Sequence, residues 1–130
     1  MRHILICSFM SLFMLVSIAA VAAHAQEKMG KSTTVEGELI DLRCFSAQGS
    51  RGEKHQMCAV ACAKVGDPVG IVDAKGKVYT LGSQTGGYVD HMAKTARVTG
   101  MVSGNVIIPM KVEVKEGNSW KTITLPKEMM

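Results

Sequence analysis

An apolar run from Ile4 to Val21, interrupted only by Ser8, Ser11 and Ser17, divides this chain of 130 residues into a leader and a small working part. Arg2 and His3 give the run a short basic start, and Ala23-His24-Ala25 ends it with a small-x-small pattern. That order predicts a cleavable secretory signal peptide over Met1 to Ala25, with a mature chain starting at Gln26 and residing in the periplasm or outside the cell. A retained anchor is the competing reading, because the run approaches the roughly 18 residues that span a bilayer. The cleavage pattern and the polar Gln26-Glu27-Lys28 that follows it favour removal, and so no stable membrane insertion after cleavage. Cys7 leaves with the leader.

About 105 residues remain, enough to bury one core but not two. We expect a flexible leader over 26–32 and a single domain over 33–130. Without Arg2 the chain keeps fourteen basic side chains against eleven acidic ones, with no block of one sign. That balance describes a solvated surface and not a nucleic-acid footprint. Phe45, Tyr79, Tyr88 and Trp120 are too scattered to form a base-stacking platform.

The mature part reads as short strands joined by turn chemistry. Thr33 to Arg43 is β-rich, with an interior Gly37 that suggests a bulge or sharp bend. Val69–Val72 and Val78–Leu81 flank Asp73-Ala74-Lys75-Gly76-Lys77, which predicts a hairpin. Ala96–Val102, Val106–Val114 and Trp120–Leu125 supply three more strands. Alternation in Lys111-Val112-Glu113-Val114-Lys115 marks a half-buried strand. Glu53 to Val65 is helical in composition and stops at Gly66-Asp67-Pro68, and Tyr88 to Thr95 suggests a second, shorter helix. The fold expected is mainly β, a small barrel of five or six strands with one helix in the first excursion and a short helix later. This order resembles the OB-fold, and Ala96-Arg97-Val98-Thr99-Gly100-Met101-Val102 looks like the strand that follows the helix in exported OB-like domains.

Fold alone assigns no function. All three mature cysteines fall in the first excursion, in the order Asp41-x-x-Cys44, His55-x-x-Cys58-x-x-x-Cys62, then Gly66-Asp67-Pro68-Val69-Gly70. This arrangement is similar to that of a group of small exported bacterial OB-like proteins. The resemblance implies that the cysteines matter and leaves their role open.

On a helix, Cys58 and Cys62 stand four apart and His55 three before Cys58, so all three lie along one stripe. His55 and Cys62, seven apart, are separated by roughly 10 Å along the axis, so one metal would take adjacent members and draw a further ligand from Cys44. Thiolates with an imidazole suit copper(I) or zinc: copper(I) with Cys58, Cys62 and either Cys44 or His55, zinc with all four. The two thiols and a histidine also resemble the ligands of exported copper-delivery proteins for respiratory oxidases, in ligands and not in fold. The partner expected on that reading is a metal donor or acceptor, otherwise an unidentified protein.

Two further readings stand beside the metal. A small exported domain commonly staples an excursion with a disulfide, here Cys44 to Cys58 or Cys44 to Cys62, leaving one thiol over. Thiol redox chemistry without metal is the other. Haem attachment through C-x-x-C-H is excluded, since that motif is absent. Asp41 is either a cap acceptor or a group that orients a ligand. We read Met57, Met101 and Met110 as core filler, with Met57 as a candidate assistant to a metal, and His91 as a surface residue. With no nucleophile elbow, zincin or phosphate-loop motif, a binding role is expected rather than an enzyme.

Overall fold

The computed structural model describes residues 31–125; the leader and cleavage site expected from the sequence, and Met29, Met129 and Met130, lie outside the described residues. Six strands form one sheet: β1 (Lys31–Asp41), β2 (Val69–Asp73), β3 (Val78–Leu81), β4 (Thr95–Ser103), β5 (Val106–Glu116) and β6 (Ser119–Ile123). β1 pairs antiparallel with β2 and β4, β2 with β3, and β4 with β5. A parallel pairing of β3 with β5, Thr80 opposite Val106 and Leu81 opposite Ile107, closes the ring β1-β2-β3-β5-β4. β6 adds to β5 outside that ring. The result is a closed five-stranded OB-like barrel with one extra strand, as the turn pattern predicts.

One strand has to serve two neighbours. The first part of β1 pairs with β4 from Lys31 to Glu38, the last part pairs with β2 from Gly37 to Asp41, and Gly37 belongs to both ladders. A Cβ at Gly37 would overlap the carbonyl oxygen of Val72. The missing side chain therefore lets two backbones approach; both ladders run through Gly37 in unbroken register, so the close approach, and not a bulge, is what requires glycine there. We predict that Gly37→Ala destabilises the domain by about 2 kcal/mol through forced backbone displacement. Thermal unfolding followed by circular dichroism should show the midpoint falling by on the order of 10 °C, at about 4–8 °C per kcal/mol for a domain of this size. An unchanged midpoint would refute this account of the close approach.

Inward-facing positions alternate along the strands. Leu39, Ile71, Leu81, Ala96, Val98, Ile107, Val112 and Val114 fill the barrel, and Tyr88 and Met92 are buried with them. Val112 and Val114 face in while their charged neighbours face out, as the alternation requires. The connection from β3 to β4 is a 3-10 helix, Thr85–His91, which carries Tyr88 into the core. It begins and ends earlier than the helix expected over 88–95, because Thr95 already pairs with Glu38 in β4.

The methionine expectation is overturned. Met57 is 88% exposed, Met110 64% and Met101 40%, so none of the three fills the core. Met101 and Met110 fall on outward positions of β4 and β5, and Met57 on the solvent face of its helix. Among the described residues, Met92 is the buried methionine. His91 is half-buried, with its Nδ1 out of reach of any partner, and burial lowers its pKa. Among the described residues no helix is long and apolar enough to cross a membrane.

A candidate metal centre between two short helices

The excursion between β1 and β2 contains two helices and a turn. α1 (Leu42–Gln48) follows β1 directly, a 3-10 turn covers Glu53–His55, and α2 (Gln56–Lys64) leads back to β2. The sequence reading extends the first strand to Arg43 and finds no helix there. Yet α1 has both end signals. The Asp41 carboxylate accepts the N–H of Cys44 at 2.8 Å as an N-cap, and Gly49, at φ 67°, donates its N–H to the Phe45 carbonyl at 2.7 Å.

α1 and α2 are tied together at their outer ends. The Leu42 N–H donates to Pro68 O at 2.9 Å, the Asp67 N–H donates to Cys62 O at 3.0 Å, and Arg43 pairs with Asp67 at 3.3 Å. Arg43 is well exposed, so solvent screens its ion pair and the backbone hydrogen bonds carry the connection. α2 lies close against the barrel because the residues it buries there, Ala59 and Ala63, are small. Gln56 donates to Met92 O, and Thr85 donates to Ala63 O, both at 3.3 Å. These contacts turn the Cys58–Cys62 flank of α2 toward Cys44 on α1.

The three thiols meet. Cys44, Cys58 and Cys62 bring their Sγ atoms within 4.8 Å of one another, and Cys44 and Cys58 stand 4.0 Å apart. All three are free cysteines; Cys58 is exposed, the other two half-buried. Asp41, Cys44 and His55 form a second set at the same spacing. Cys44 is therefore common to two overlapping sets, one made of sulfur and one of mixed donors. Such a group of Cys, His and Asp side chains has the composition and spacing to hold a metal ion.

Asp41 holds the two sets in place. It is completely buried, and its second oxygen lies 2.9 Å from His55 Nε2. Burial pushes this carboxyl up, but the Cys44 N–H, then His55 and the Cys44 thiol, outweigh burial and hold it below the ordinary aspartate value. An ionised carboxylate only accepts, so the His55 ring N–H donates to it. Of the roles considered for Asp41, the cap is formed by one oxygen, and the other oxygen holds the His55 ring. His55 belongs to the 3-10 turn and not to the α2 stripe, which directs it at Asp41.

Burial, followed by the hydrogen bond to Asp41, pushes the Cys44 thiol up to about 12, and burial also raises that of Cys62. Both are protonated at neutral pH. A metal entering here must displace those protons, and the Arg43 guanidinium, held first by Asp67 and also influenced by Cys62 and Cys44, stands near the charge that forms. Searches of protein-family models, curated proteins and solved structures return no match to this chain.

Proposed function

We propose that this protein binds copper(I) through Cys44, Cys58 and Cys62 and serves outside the cytoplasm as a soft-metal binding or delivery protein. The observation that carries the reading is the convergence of three sulfur atoms, from two helices, within 4.8 Å. Three thiolates suit a soft monovalent ion, whereas a structural zinc site takes four ligands. His55 is engaged with Asp41 and is grouped with Cys44 but not with the other two thiols, which favours copper(I) over a four-ligand zinc site. Exposure of Cys58 gives the ion a route to a donor or acceptor. The leader supports export, and the absence of a catalytic motif supports binding over catalysis.

Copper K-edge X-ray absorption on the reduced, copper(I)-loaded protein tests this. The expected first shell is three sulfur atoms and no nitrogen. A shell containing imidazole nitrogen with two or fewer sulfurs would overturn the three-thiolate assignment.

The raised thiols add a prediction with a definite sign. Copper(I) binding at neutral pH should release the protons of both Cys44 and Cys62, so affinity should fall as pH falls. Calorimetry in buffers of differing ionisation enthalpy measures that release directly. Binding with no proton release would show that these two thiols are not ligands.

A further inference from the structure

We propose a second activity for the same thiols: exchange with a small disulfide, entering at Cys58 and resolved by Cys44, which discharges the bound metal. It rests on the copper(I) reading for its second half only. Two observations select the pair. Cys58 is the exposed thiol of the three, so an incoming disulfide reaches it first, and Cys44 stands 4.0 Å from it on a different helix. A bond between them needs the two sulfurs to close from 4.0 Å to about 2.05 Å. The loops closed by Cys44–Cys58 and Cys44–Cys62 differ by four residues, too little for chain entropy to choose, so proximity and access decide.

The chemistry balances with a disulfide of the glutathione class as oxidant. The Cys58 thiolate attacks one sulfur of the oxidised disulfide; the S–S bond breaks, and one glutathione thiolate leaves with the electron pair and takes up a proton. Cys58 is then a mixed disulfide. Cys44, giving up its proton, attacks Cys58 Sγ and expels the second glutathione as thiolate. The two cysteines lose two electrons and two protons, and one oxidised glutathione becomes two reduced ones. Cys62 is then the last free thiol of the three-sulfur set. A single sulfur does not hold copper(I) against a solvated competitor, so bond formation and metal occupancy exclude each other.

The experiment treats the protein with oxidised glutathione under anaerobic conditions, once metal-free and once copper(I)-loaded. Free thiols are then blocked and peptides mapped, while a coloured copper(I) chelator reports release. In the metal-free arm the expected product is a Cys44–Cys58 bond with Cys62 free. Cys44→Ser should stop at a glutathione adduct on Cys58, Cys62→Ser should still form the bond, and Cys58→Ser should lose both products. A bond that includes Cys62, or an adduct accumulating on Cys44, would overturn the assigned roles. In the loaded arm, copper should slow bond formation and appear in solution in step with it. Copper retained after the bond has formed would overturn the discharge. A bond in the metal-free arm with no copper bound in the other would remove the metal reading and leave the exchange standing.

Discussion

Cys44→Ser is expected to weaken copper(I) binding by well over about 100-fold, because losing a group that merely orients a ligand already costs about 10–100-fold in many metal sites. Cys44 is the one residue shared by the sulfur set and the Asp41–His55 set, and it is the only thiol that α1 contributes. Without it, Cys58 and Cys62 are left as a two-sulfur pair along one helix. His55→Ala is the informative comparison. His55 lies within 4.8 Å of Cys44 but is hydrogen-bonded to Asp41, whose other oxygen caps the Cys44 N–H, so on the three-thiolate reading its removal should cost no more than the 10–100-fold of an orienting group. Competition titration of the reduced variants against a chelator of known affinity measures both. Full affinity in Cys44→Ser would dismiss the three-thiolate site, while a loss in His55→Ala equal to that in Cys44→Ser would make the imidazole a ligand.

The barrel was legible because its signals are local. The hairpin expected from Val69–Val72 and Val78–Leu81 forms within one residue of those bounds, since Gly76, at φ 80°, sits where the turn needs it. Closure was not local: the parallel contact of Thr80 and Leu81 with Val106 and Ile107 joins segments whose sequences say nothing of each other. α1 went unseen because seven residues with none buried show no periodicity, although a cap at Asp41 and a stop at Gly49 were both there to read. The methionines failed for the opposite reason. Residue type is a poor guide to burial here, because strand alternation places Met101 and Met110 outward whatever their hydropathy. In the site, clustering in sequence did predict that the three thiols meet. His55 is grouped with Cys44 and not with Cys58 or Cys62: the seven-residue spacing anticipates its distance from Cys62, while the 3-10 turn at Glu53–His55 breaks the stripe that would have set it beside Cys58.

Asp41→Ala is expected to destabilise the domain by about 3 kcal/mol, the combined effect of a lost helix cap and a broken buried pair. The cap alone accounts for about 1 kcal/mol. The remainder comes from His55, which loses its acceptor while still largely enclosed, and it lies below the full 3–5 kcal/mol of a dry ion pair because the ring keeps some access to water. The unfolding midpoint should fall by on the order of 15 °C at about 4–8 °C per kcal/mol. Asp41→Asn separates the two parts, since its amide oxygen can still cap the Cys44 N–H but carries no charge for His55. It should recover roughly the 1 kcal/mol of the cap. The pH dependence carries a definite sign. The folded pKa of Asp41 lies below its unfolded value, so the carboxylate binds fewer protons in the folded protein. Its contribution is complete above the unfolded value near 3.9 and fades as pH falls through the lower, folded one. Denaturant unfolding between neutral and acid pH should therefore show a loss of stability on acidification that is smaller in Asp41→Asn than in the native chain. An equal acid-induced loss in both would mean that the Asp41 carboxylate does not hold α1 and the His55 turn together, and the placement of Cys44 would need another cause.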